Sequence, residues 1–253
     1  MSRRAQALMF LVGAVGLAPL LIWGLMGLAP FGAYPGPYGD ILNRVVVPER
    51  HVSEVVTAVV FDYRGFDTLG EEFILFASVV GVALLLRASR EEEEQEPRRE
   101  SDAHGEPATT DAIRVAGLGM VGPTVLVGLA IAAHGHVTPG GGFQGGVILA
   151  TGSFLVFLSG KYLAFRRVNP ILLIDVAEGL GAGGFAAVGL LGLAAGAAYL
   201  ANVLPLGTAG DLFSGGTIPV ANMAVALAVA AGFVLILSEF LEQTLALRGK
   251  GRT

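Results

Sequence analysis

Two short stretches hold most of the residues able to do chemistry. The first, Phe61-Asp62-Tyr63-Arg64-Gly65-Phe66-Asp67-Thr68-Leu69-Gly70-Glu71-Glu72, gathers carboxylates and one guanidinium at the start of an apolar run. Asp67 is placed to cap a helix N-terminus, and Glu71 and Glu72 would follow near its positive end. Neighbouring helical residues point about 100° apart, so at least one of Glu71 and Glu72 must lie close to hydrocarbon. An ionisable group there is costly unless it faces protein or water. Asp62, Asp67, Glu71 and Glu72 are therefore candidates for an ion or proton path, with Arg64 as a partner for Asp62 or Asp67. A purely structural role at the helix start stays open beside that one.

The second stretch is His134-Gly135-His136-Val137-Thr138-Pro139-Gly140-Gly141-Gly142-Phe143-Gln144-Gly145-Gly146. Pro139 stops an incoming helix, and Gly140, Gly141 and Gly142 allow backbone conformations that other residues resist. Irregular backbone at membrane depth is tolerated only where it is buried in protein or lines water. His134 and His136 titrate near neutral pH, which suits a proton relay as well as plain packing. No Cys and no nearby carboxylate completes a site around them, so no metal is expected.

Further along, Asp175 and Glu178, and again Glu239 and Glu242, are spaced i, i+3 and share a helix face in each pair. Glu178 and Glu239 are path candidates, and Lys161 is placed to neutralise one of them if their helices pack together. Otherwise Lys161 snorkels to the interface, and Glu242 is expected to be solvated.

These residues need a membrane to position them. The 253 residues have a mean hydropathy of +0.68, with 53% hydrophobic and only 15% charged, too little polar sequence to cover a soluble globule. The 37 glycines suit helices that pack closely in lipid through small side chains. A net charge of -5 without a basic face gives no case for nucleic acid. No Walker loop, dinucleotide fingerprint or nucleophile elbow is present, so the chain is not expected to be an enzyme.

Apolar segments at 5–28, 68–87, 113–133, 145–164, 173–200 and 218–247 are each of spanning length. The first is read as a retained helix, not a cleaved signal. Residues 31–40 read as a loop, and 52–63 as an interfacial or re-entrant helix, being too short to span. From 89 to 112 the charged run containing Glu91, Glu92, Glu93 and Glu94 reads as an acidic cytoplasmic linker. Six spans with the N-terminus inside leave only Arg44, Arg50 and Arg64 outside. The expectation is an all-α, polytopic, integral membrane protein of about six transmembrane helices with both termini cytoplasmic.

The stretch HGHVTPGGGFQGG, 134–146, resembles the Gly-rich pattern of the B subunit of Mrp-type multisubunit Na+/H+ antiporters, and the four spans of 113–253 match the layout of that protein. The stretch TAVVFDYRGFDTLGE, 57–71, resembles a pattern found in the small E subunit of membrane-bound hydrogenases and near the C-terminus of the antiporters' large A subunit. The resemblance implies a fusion: a two-span module at 1–88, the linker 89–112 and a B-type domain at 113–253. It also implies exchange of Na+ or another monovalent cation for H+ across a prokaryotic cytoplasmic membrane. No cofactor is expected beyond the transported ions. The implied partners are other membrane subunits, including large antiporter-like proton-channel subunits. Two alternatives remain: the same subunit in a hydrogenase or related respiratory complex, or a purely structural role in assembly.

Overall fold

The computed structural model describes residues 3–28, 30, 32–33, 36–86 and 110–250, the side chains of residues 3, 6, 161 and 244–250 excepted. All regular structure among them is helical, and six of the helices are long and apolar enough to cross a membrane. The expected linker lies outside the described residues up to 109. Its last residues already belong to a helix: Thr110 caps it by accepting a hydrogen bond from Ile113 N.

Residues 1–41 and 42–253 form separate compact units. The first carries α1 (Arg3–Met26), whose stretch Ala7–Met26 has a mean hydropathy of 2.2 and buries none of its residues. It also holds the beginning of α2 (Pro37–Arg50). The sequence predicts a loop as far as Asp40 and no element over 41–51. Asp40, Asn43, Arg44, Glu49 and Arg50 make this segment too polar to span, yet Leu42 and Val46 give it one buried face, enough for a short helix packed on the second unit's core.

In the second unit, the segment 52–63, too short to span, is helical from Val55 onward. α3 (Val55–Ala58) begins where Glu54 accepts a 2.6 Å bond from Thr57 N, and it runs into a π-helical turn, Val59–Tyr63. π-turns recur at functional sites because they re-aim side chains within a helix. α4 (Gly65–Leu86) follows. Because it starts at Gly65, Asp67 does not cap it. Asp67 sits inside the first turn and pairs with Arg64.

The remaining helices are α5 (Asp111–Ala133), α6 (Gly142–Val168), α7 (Ile171–Ala194) and α8 (Ile218–Lys250). α8 is the axis of the unit, packed against α4, α6 and α7, and its apolar stretch is the most buried of the six. Close approach is possible because glycines meet it. A methyl at Gly146 would collide with Val229 and Ala226, and one at Gly181 with the backbone of Ala228. In lipid the hydrophobic effect does not hold helices together, so contact area of this kind must. Phe185 of α7 and Phe61 of the π-turn, with ring centroids 6.1 Å apart, join Val46, Val52, Ile218, Val225 and Val229 in the main core.

Gly181→Leu is expected to lower the thermal midpoint of the detergent-solubilised chain markedly, since overpacking of this kind costs about 1–3 kcal/mol or more. Gly179→Leu, where nothing lies within 4 Å, should leave that midpoint unchanged. Fluorescence-detected size-exclusion after heating measures both.

Candidate functional site

The Gly-rich stretch is a break between two spanning helices. α5 stops at His134, whose ring Nδ1–H donates to Ala130 O at 2.9 Å, and α6 starts at Gly142. Between them Gly140 and Gly141 take φ of +145° and +140°, a region that only glycine enters without strain. The break is held by Asn222 of α8, fully buried. Its Nδ2 donates to Ala132 O at 2.5 Å, and its Oδ1 accepts from Gly142 N at 2.6 Å. One side chain thus satisfies a carbonyl ending one helix and an amide beginning the next.

The same break receives two other segments. Ser53 N and Glu54 N both donate to His136 O at 3.2 Å, and Thr57 Oγ1 donates to Gly135 O at 2.5 Å. His136 Nε2–H donates to Leu212 O at 3.0 Å in the connection between α7 and α8, while His51 Nδ1–H donates to Gly207 O. Residues 51–64, 134–141 and 195–217 therefore gather at one end of the bundle. The two histidines differ: His134 is exposed, and His136 is fully buried with no partner for Nδ1 among the described residues. Burial lowers the His136 pKa from its ordinary 6.5; the backbone carbonyls of Leu212 and Asp211 act in the opposite direction, and His134 reinforces the lowering.

Beside this junction lies a charged cluster. Arg50 Nε pairs with Asp62 Oδ2 at 2.5 Å, Asn202 Nδ2 donates to the same oxygen at 3.2 Å, and the Arg50 guanidinium lies 5.0 Å from the centre of the Tyr63 ring. Tyr63 donates to Glu49 at 2.6 Å; burial first, then that bond, pushes its pKa up to about 12. The expected alternatives for Arg64 resolve in favour of Asp67, because Arg50 takes Asp62.

Deeper in the bundle, the adjacent carboxylates part as helix geometry requires. Glu71 is exposed on the outer surface of α4, and Glu72 is 1% exposed with no hydrogen-bond partner for either oxygen among the described residues. Glu178 of α7 is 7% exposed, and its Oε1 is likewise unpartnered among those residues. α7 and α8 do pack together, and Glu178 lies beside Gly232 of α8, where a β-carbon would come within 3.9 Å of Oε1. Lys161 sits on α6, but its side chain lies outside those described, so its expected pairing is not placed. Near the opposite end of the bundle Glu242 is not merely solvated. It accepts from Arg166 at 2.9 Å and from Tyr162 at 3.0 Å, with half-buried Glu239 close enough to act on that phenol. This ties α6 to α8.

Sequence reasoning missed Arg50, Asn202 and Asn222. Asn222 carried a usable signal, as an amide in an otherwise apolar spanning helix needs a partner. Arg50 and Asn202 lie in polar stretches where nothing distinguishes them before the chain folds.

Residues 112–235 match a family described as a domain related to the MnhB subunit of Na+/H+ antiporter. An uncharacterized protein of Methanocaldococcus jannaschii is 31% identical over 228 residues, covering 82% of each chain. A Rhizobium meliloti protein, named as the probable A/B subunit of a K+/H+ antiporter, is 30% identical over 203 residues, which are 71% of this chain and 20% of that protein. Among solved structures, a chain of the membrane-bound sulfane sulfur reductase, an archaeal respiratory membrane complex, is similar with a TM-score of 0.71 and 30% identity, over 94% of this chain and 98% of that one. A chain of the Mrp complex from a Dietzia species shares the fold, with a TM-score of 0.67 and 24% identity, over 94% of this chain and 26% of that one.

The lowered His136 pKa means that the folded protein favours the neutral ring. Stability is then present above pH 6.5 and falls as the pH drops through 6.5 toward the folded value, because the unfolded chain takes up the proton first. His136→Gln can still donate to Leu212 O and does not titrate. Thermal midpoints at pH 5.5 and 7.5 should differ less in this variant than in the native chain.

Proposed function

We propose that the chain, whose residues 112–235 match a domain related to the MnhB subunit of Na+/H+ antiporter, is a subunit of a monovalent cation/proton antiporter complex of the Mrp type, and that Glu72 and Glu178 are transit sites on an ion path it contributes there. The observation that carries this reading is the pair of buried carboxylates, Glu72 and Glu178, with oxygens that have no hydrogen-bond partner among the described residues, on helices that meet α8. A carboxylate kept for structure would be paired, since burying an unpaired charge destabilises a membrane helix. A carboxylate that alternately holds a proton and a cation gains its partner only while loaded. Each Glu lies about 10 Å from the end of its helix, in opposite directions: Glu72 from the gathered loops, Glu178 from the far end.

The chain combines a B-type domain at 113–253 with a front module at 1–88 like the end of the large A subunit. The complex it serves exchanges Na+ or another monovalent cation for H+ across a prokaryotic cytoplasmic membrane, and both termini of the chain are cytoplasmic. It works beside large antiporter-like proteins that supply the main proton channel, and it needs no resident cofactor. Asp62 lies nearest the gathered loops, with Arg50 holding its charge until a cation arrives, and His136 offers its Nδ1 to a proton. Similarity over 98% of a chain of a respiratory membrane complex favours a second reading, in which the same path is driven by electron transfer. Hydrogenase or iron-sulfur protein genes beside this one would support that second reading.

In the complete complex reconstituted into proteoliposomes, Glu72→Gln and Glu178→Gln should each slow cation-driven proton exchange by at least about tenfold while the complex still assembles on native gels. Unchanged exchange in both variants with normal assembly would show instead a purely structural role.

A further inference from the structure

Between the carboxylates of Glu72 and Glu178 the described side chains of α4, α7 and α8 are apolar. Glu72, Leu75 and Val79 fall on one face of α4 at i, i+3 and i+7, and both Glu72 and Val79 are buried there. Glu72 precedes Val79 by about 10 Å along the helix axis. The segment of α8 running past them, Ala224 to Leu237, contains no polar side chain, and neither does α7 beyond Glu178. Gly232 is where the three helices meet. A β-carbon there would come within 3.1 Å of Val79 Cγ2, 3.9 Å of Leu75 Cδ1 and 3.9 Å of Glu178 Oε1. Val79 therefore stands at the level of Glu178, and Leu75 stands between that level and Glu72.

We propose that Leu75 and Val79, closed against the bare backbone of Gly232, form the seal between two half-paths, one reaching Glu72 from the gathered loops and the other reaching Glu178 from the opposite end. The inference rests on the reading of Glu72 and Glu178 as transit sites. A layer of apolar side chains with no hydrogen-bonding group between them excludes water, and an ion or proton crossing it would lose its hydration without replacement. Such a layer blocks leak when closed and conducts once its walls part far enough to wet. Its thickness here is one turn or two of α4, so trimming a single side chain should breach it. The glycine sets the closing distance: a larger residue at 232 would thicken the seal, and a smaller one at 79 would thin it.

The test uses the whole complex in proteoliposomes, with passive proton leak measured without a cation gradient alongside cation-driven exchange. Val79→Ala should raise the leak by about tenfold with assembly intact. Adding Glu178→Gln to Val79→Ala should remove the excess leak, because the breach leads to that carboxylate. Adding Gly232→Ala to Val79→Ala should also restore a tight membrane, because the new methyl fills the space vacated beside residue 79. If Val79→Ala fails to assemble, Leu75→Ala serves in its place with the same expectations for leak and for its loss with Glu178→Gln. A tight membrane in assembled Val79→Ala and Leu75→Ala, or a leak indifferent to Gly232→Ala and Glu178→Gln, overturns the seal. The single variants Glu72→Gln and Glu178→Gln separate the two ideas. Lost exchange with no leak in Val79→Ala sinks only the seal, whereas full exchange in both sinks the transit reading beneath it.

Discussion

The carboxamide of Asn222 bridges the end of α5 to the start of α6, and the arrangement of the second unit depends on that bridge. Between two spanning helices the backbone leaves its helical path through Gly140 and Gly141, exposing amides and carbonyls that hydrocarbon cannot satisfy. Asn222 satisfies one of each from the buried face of α8. Because it reaches both, the break has one position relative to the central helix. A side chain unable to donate and accept at once would leave a buried polar group unpaired, at a cost of about 1–3 kcal/mol.

From that anchor, geometry places the other segments. The fixed break offers Gly135 O and His136 O to the segment at 53–57, and His136 reaches Leu212 beyond α7. Those bonds hold α3 and the π-turn against the bundle, and α4 continues from them with Glu72 directed inward and Glu71 outward. Close packing against α8 then buries Glu72 and Glu178, which Gly146, Gly181 and Gly232 permit by presenting no side chain. The polar groups of the site and the small residues of the helices thus act together: the glycines let the helices close enough to shield the two carboxylates from lipid, where an ionisable group would be costly.

Much of this was legible before folding. Spanning helices announce themselves by length and apolarity, so all six were placed to within a few residues, apart from α7, which ends at Ala194 instead of 200. Glu72 and Glu178 stood out because charge in such segments is costly. The sequence alone did not distinguish Glu71 from Glu72, since that depends on which face of α4 meets α8. It also offered no reason to pair Arg50 with Asp62 rather than Arg64, because Arg50 approaches from α2, a helix too polar to be recognised by its hydropathy. The π-turn was equally invisible: Val59–Tyr63 reads as an ordinary short helix, and the extra residue per turn appears only once Thr68 Oγ1 bonds Val60 O and Arg64 N bonds Val59 O.

The central claim is that two buried carboxylates are reached from opposite ends of the bundle. The chain has no cysteine, so a thiol placed at either position is unique within it. The direct measurement is labelling of Glu72→Cys and Glu178→Cys, each in the assembled complex in sealed vesicles of known orientation, by a small membrane-impermeant thiol reagent. The two thiols are predicted to react from opposite sides, with the transported cation slowing both reactions. Reaction of both from the same side, or of neither from any side, would contradict the claim.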